Sequence, residues 1–80
     1  MKQEDLRPHV LAVIRKCPNK FAVKYAQALL QLMNKGAEDK TIDIQLLYVL
    51  SNTQHWRGLE AQKVKRALNQ FGEDLAHEGR

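Results

Sequence analysis

The stretch NKFAVKYAQALLQLMNKG, residues 19–36, reads as a single helix from one cap to the other. Asn19 supplies an N-cap oxygen, and Phe21, Ala22, Ala26, Leu29, Leu30 and Met33 recur at the three-and-four spacing of an apolar helical stripe. Lys35 places a cation in the last turn, and Gly36 suits the left-handed position just past a helix end. A helix of this length is marginal alone in water, so its stripe demands partners from the rest of the chain.

Working outward, the neighbouring segments supply them. Upstream, Leu6, Val10, Leu11, Ile14 and Cys17 keep helical spacing over about residues 5–17, with Asp5 as N-cap, Pro8 in the first turn and Pro18 as the stop. Downstream, the polar run 36–41 reads as a loop and Asp43 as the next N-cap, with Ile42 and Leu47 placed as a hydrophobic staple. The third helix then covers about 43–53 and carries Leu46, Leu47, Val49 and Leu50. Ile42, Ile44, Tyr48 and Val49 are also good strand formers, but one such run has no evident partner. The last helix covers about 59–71 with the stripe Ala61, Val64, Ala67, Leu68 and Phe71, and Gly72 is expected to end it. The sequence therefore predicts an all-α fold, a compact bundle of four short helices in one domain over 1–72, followed by an acidic, frayed tail over 73–80.

Composition bounds the function. Eighty residues, 44% hydrophobic and 28% charged, suffice for one small core and exclude a second catalytic domain. No run approaches the ~18 apolar residues of a membrane span, and the opening Met1-Lys2-Gln3-Glu4-Asp5 lacks the apolar region of a secretory signal. A cytoplasmic protein is the expectation, and the single cysteine, Cys17, agrees with a reducing compartment. So small a core also leaves room for a homodimer as part of the stable state.

Chemistry finds little purchase. His9, His55 and His77 are far apart in sequence and none has the spacing that sets two imidazoles on one helix face, so no metal site is expected. The glycines at 36, 58, 72 and 79 are isolated, which leaves no phosphate-cradling loop. Cys17 falls on an apolar stripe as a small buried hydrophobe, and the adjacent acids Glu38-Asp39 and Glu73-Asp74 have nothing to separate their acidities. The expectation is no enzyme, no catalytic residue and no cofactor.

Charge is the more informative feature. Residues 1–72 carry twelve Lys/Arg against six Asp/Glu, a net of +6, while 73–80 carry one against three, a net of −2, so the positive excess behind the chain's +4 belongs to the folded part. Arg15, Lys16 and Lys20 lie in an acid-free segment, and Arg57, Lys63, Lys65 and Arg66 are opposed only by Glu60. Lys63 and Arg66 share a helical face, with Gln62, Lys65 and Asn69 on the adjacent one. Such a surface serves as a solvated face, as a dock for an acidic protein, or as a phosphate contact. Trp56 beside Arg57 is either an interface anchor or the packing beneath a turn at Gly58, with Arg57 pairing to Glu60. Stacking of single-stranded nucleic acid is disfavoured because Phe21 and Phe71 sit on core stripes, leaving Tyr25, Tyr48 and Trp56 as candidate exposed rings. A helix-turn-helix over residues 20–50 fits poorly: the 36–42 connection exceeds the roughly 3–4-residue turn, and residues 44–50 are too apolar to enter a groove.

Residues 46–71 carry LYVLSN, then WRGLEA, then the Lys/Arg/Val-rich run from Gln62 to Leu68. This third of the chain resembles a segment of small helical proteins of phages, prophages and plasmids. The resemblance implies a context, an accessory or regulatory protein of a mobile element, and brings no catalytic or binding residue with it. The expected function is binding without chemistry: a protein partner with an acidic surface, met by Arg57, Lys63, Lys65 and Arg66 with Trp56 as anchor. The alternative is a nucleic-acid-binding regulator that uses the last helix with Arg15, Lys16 and Lys20.

Overall fold

A computed structural model describes residues 2–78, with nothing assigned to the side chain of residue 78. Four helices follow in order: α1 (Gln3–Lys16), α2 (Lys20–Asn34), α3 (Asp39–Ser51) and α4 (Leu59–Glu78). No strand occurs among the described residues, so the run around Ile44–Val49 is helical. Each helix packs on two neighbours, α1 on α2 and α4, and α3 on α2 and α4, which makes a closed ring around one core.

Cross-links show the direction of every pair. Arg7 donates to Asn34 Oδ1 at 2.7 Å, Tyr25 stacks on Tyr48, a Cβ at Gly72 would lie 3.0 Å from Asp43 Oδ1, and Lys16 meets Glu60 at 2.7 Å. In each case an early position on one helix meets a late position on its neighbour, so the bundle runs up-down-up-down, as short connections require.

The core takes one stripe from each helix: Leu6, Val10, Val13 and Cys17; Ala22, Ala26, Leu29 and Met33; Ile42, Leu46 and Val49; and Ala61, Val64, Leu68 and Phe71. The α4 stripe is the one the sequence shows in full. Of the expected core residues, Phe21 is 63% exposed and Leu47 60% exposed, Leu11 stays outside the cluster, and Ile14, Leu30 and Leu50 are only partly buried against it, while Val13, absent from the expected α1 stripe, is fully buried. Ala22, Ala26, Leu29 and Met33 already fill the inward arc of α2, and Phe21 stands about 100° from Ala22 around the helix.

Several boundaries move, each for a local reason. α2 begins and ends as its sequence reads: Asn19 Oδ1 accepts from the amides of Phe21 and Ala22. At its end Gly36 has φ +78°, with Gly36 N–H donating to Met33 O and Ala37 N–H to Leu32 O, the paired bonds of a Schellman cap. α3 starts at Asp39, four residues before the expected Asp43 cap, and no Ile42–Leu47 staple forms. The Gln3 amide explains the early start: its Nε2 donates to Ala37 O at 2.9 Å and to Asp39 Oδ1 at 2.7 Å, tying α1 to the α2–α3 turn. The connection is therefore Lys35–Glu38, short enough for a helix-turn-helix, so the length objection to that motif falls.

α1 also starts early, at Gln3. Asp5 acts from the third helical position, where its Oδ2 accepts from Lys2 N–H at 3.2 Å while its own N–H donates to Lys2 O. Pro8 is consequently inside the helix, at an exposed position.

The largest correction concerns Gly72. α4 continues through it to Glu78, so residues 73–78 are helical, while Gly79 and Arg80 of the expected tail lie outside the described residues. Leu75 packs against the core beyond the glycine, which outweighs its weak helix preference, and the missing side chain lets Asp43 of α3 approach.

Gly72→Ala discriminates between the two roles. An interior helical glycine predicts a gain of up to about 1 kcal/mol, with the half-buried Asp43 carboxylate turning aside; a left-handed cap would instead predict a loss on thermal unfolding. Leu29→Ala, at a fully buried position, is expected to cost about 2–5 kcal/mol in urea unfolding.

Candidate functional site

The α1–α4 seam opens into a groove of about 520 Å³ lined by His9, Leu59, Gln62, Lys63, Arg66, Ala67 and Gln70. Leu59, Gln62/Lys63, Arg66 and Gln70 follow one another at helical spacing along the flank of α4, and His9 faces them from α1. The walls present two full cations, two amide side chains and an imidazole, and no carboxylate lines the groove. Leu59, 80% exposed at its mouth, adds an apolar contact.

The loop between α3 and α4 positions this flank. Thr53, the one buried polar residue among those described, donates from Oγ1 to Leu50 O at 2.9 Å, and Asn52 Nδ2 donates to Tyr48 O. Trp56 N–H then donates to Thr53 O, and Gly58, at φ +118°, turns the chain so that its carbonyl accepts the first α4 amide bond, from Gln62. Trp56 itself is 8% exposed and belongs to the core cluster, so it is the packing beneath the turn and no surface anchor.

The remaining candidate cations separate. Lys63 and Arg66 meet in the groove together with Gln62, which the sequence placed on the neighbouring face. Lys65 is half-buried on the other flank of α4, where its carbonyl accepts from Asn69 Nδ2 at 3.0 Å. Lys16 is not among the groove residues and is engaged by Glu60, which the sequence pairs with Arg57; Arg57 is exposed on the loop. Because both partners of the Lys16–Glu60 pair are half exposed, it contributes about 0–1 kcal/mol. Arg15 points outward one residue before it, and Lys20 opens α2 beyond Pro18. His9 is the groove residue the sequence reading passed over, because only the α1–α4 pairing brings it opposite Arg66 and Gln70.

On the opposite side of the ring, the rings of Tyr25 and Tyr48 stack with centroids 5.5 Å apart, and Phe21 is exposed on the turn before Tyr25. This reverses the expectation that Phe21 is buried and Trp56 available. Among the described residues no three His, Cys, Asp or Glu side chains come together as a metal site, and Cys17 is buried. Nor is any described helix long and apolar enough to cross a membrane. Compared with protein families, curated proteins and solved structures, the chain matches none.

Trp56→Ala is expected to cost about 3–5 kcal/mol, as for a core aromatic, whereas Lys63→Ala and Arg66→Ala should each stay within about 0.5 kcal/mol. Thermal unfolding of the three variants checks the assignment; a Trp56→Ala protein as stable as the parent contradicts it.

Proposed function

We propose that this protein is a non-enzymatic accessory or regulatory module that binds an acidic segment of a partner protein in the α1–α4 groove. The observation that carries the proposal is the acid-free lining of Lys63, Arg66, Gln62, Gln70 and His9 with exposed Leu59 at its mouth. Lys63 and Arg66 meet carboxylates, the amides complete the hydrogen bonds, and Leu59 buries an apolar side chain of the partner. The resemblance of residues 46–71 to proteins of mobile elements supports an accessory role, and the lone reduced cysteine a cytoplasmic one.

An acidic protein segment suits the groove better than a nucleic-acid backbone. Tight duplex binding rests on roughly 6–10 phosphate contacts. Here two cations share the groove, Lys16 is held by Glu60, Lys65 is on the other flank, and Arg15, Lys20 and Arg57 are exposed and do not line it. Of the two objections to a helix-turn-helix, the apolar second helix stands, since Ile44, Leu47 and Tyr48 occupy its outward face.

Two labelled probes test the reading by fluorescence anisotropy: an Asp/Glu peptide with a central leucine, and a mixed-sequence DNA duplex. The peptide should bind, and Lys63→Ala with Arg66→Ala should weaken it about tenfold or more. Duplex binding that falls by about 10³–10⁵ between 50 and 200 mM salt, with no peptide binding, contradicts the reading and favours a nucleic-acid regulator.

A further inference from the structure

The α2–α3 seam lies across the ring from the basic groove and uses none of its residues. On α2, Phe21 and Tyr25 are one turn apart, and on α3 Ile44 and Tyr48 are one turn apart. All four are exposed, at 63%, 36%, 52% and 52% in that order, whereas exposed Leu47 lines the α3–α4 seam. The Tyr25–Tyr48 stack, 28° from parallel, joins the two stripes, and Gln45 Nε2 donating to Tyr25 O at 3.1 Å fixes their register. Scattered exposed apolar residues are ordinary, whereas a contiguous aromatic and aliphatic strip on two neighbouring helices marks a docking face.

Its rim has one sign of charge. Lys20 and Lys24 precede Phe21 and Tyr25 on α2, and Lys40 is one turn before Ile44 on α3; all three are exposed. α2 contains no acid at all. The acids of α3 are turned to other elements: Asp39 accepts from Gln3 of α1, and Asp43 lines the boundary with Gly72 and Glu73 of α4.

We infer that this seam docks an amphipathic helix of a partner protein, with the helix's apolar stripe over Tyr25, Tyr48 and Ile44 and its acidic flanks against Lys20, Lys24 and Lys40. Two neighbouring helices that each present exposed apolar side chains along one seam fit a third helix laid over it, with anchors spaced three and four residues apart. A second copy of this chain is a poorer occupant, because a two-fold axis over the seam would bring Lys24 and Lys40 of both copies to a rim without acids. Single-stranded nucleic acid is also poorer: Tyr25 and Tyr48 spend ring faces on each other and Ile44 offers no stacking surface, which leaves Phe21 as the one unstacked ring of the seam. With the groove on the other side, the protein then has two separately addressed faces and acts as an adaptor.

The test uses the whole chain and a labelled synthetic helix of roughly five turns, with leucines at helical spacing and glutamates on both flanks. Its counterparts are the same helix with lysines in place of the glutamates, and an oligothymidine. The glutamate helix should bind at least about tenfold more tightly than the lysine helix. Phe21→Gln with Ile44→Gln, both at exposed positions, should abolish that preference while leaving the circular-dichroism melt unchanged; Lys63→Ala with Arg66→Ala should leave it intact, which separates this seam from the groove. Equal binding of the two helices, binding of oligothymidine alone, or loss of glutamate-helix binding only in the Lys63/Arg66 variant overturns the inference. So does a dimer by light scattering that Phe21→Gln with Ile44→Gln dissolves, since the seam would then be covered by a second copy.

Discussion

Everything in this structure depends on the closure of four helices around one shared apolar core, and the two shortest, α1 with 14 residues and α3 with 13, are marginal alone in water. α4 closes the ring: Ala61, Val64, Leu68 and Phe71 face inward, while its two flanks pack against α1 and α3. Closure decides what remains for function. With the inward arc of every helix committed, only the outer faces and the seams are free to meet a partner.

The seams differ because the sequence between the core positions differs. Where α1 meets α4, the flank of α4 carries Lys63 and Arg66 among glutamines, and with His9 and Leu59 they line a groove of mainly apolar surface that bears cationic and amide groups. Where α2 meets α3, the residues beside the core are Phe21, Tyr25, Ile44 and Tyr48, and the seam is aromatic and apolar. The polar links serve the ring rather than chemistry. Gln3 ties α1 to the α2–α3 turn, Thr53 closes the end of α3, and no buried side-chain nitrogen or oxygen among the described residues lacks a partner.

Helix number and order were legible in the sequence, as were both ends of α2 and the full inward stripe of α4. In those places local signals agree: an Asn cap, a glycine in left-handed conformation, and apolar residues at strict spacing. The misreadings arise where tertiary contacts override local preference. Asp43 has the chemistry of a cap but the helix already runs from Asp39, which Gln3 holds from another helix. Gly72 has the chemistry of a stop, yet Leu75 packs beyond it and Asp43 approaches where a side chain would stand. Phe21 and Leu47 satisfy a broad apolar pattern, and only the narrower stripes formed by their neighbours show that they face out. Of the candidate site, the pairing of Lys63 with Arg66 and the placing of Lys65 on another face were legible from helical periodicity, whereas the part played by His9 and Gln62 follows from which helix stands beside α4.

If the two surfaces are rigid products of one cooperative ring, native-state amide hydrogen exchange will show it: the slowest amides of all four helices, those beneath Leu6, Leu29, Leu46 and Leu68, open with the same free energy, equal to that of global unfolding. Should α2 and α3 stay protected while α1 and α4 exchange at much lower cost, the ring is not one cooperative unit and the groove between α1 and α4 is not a preformed surface.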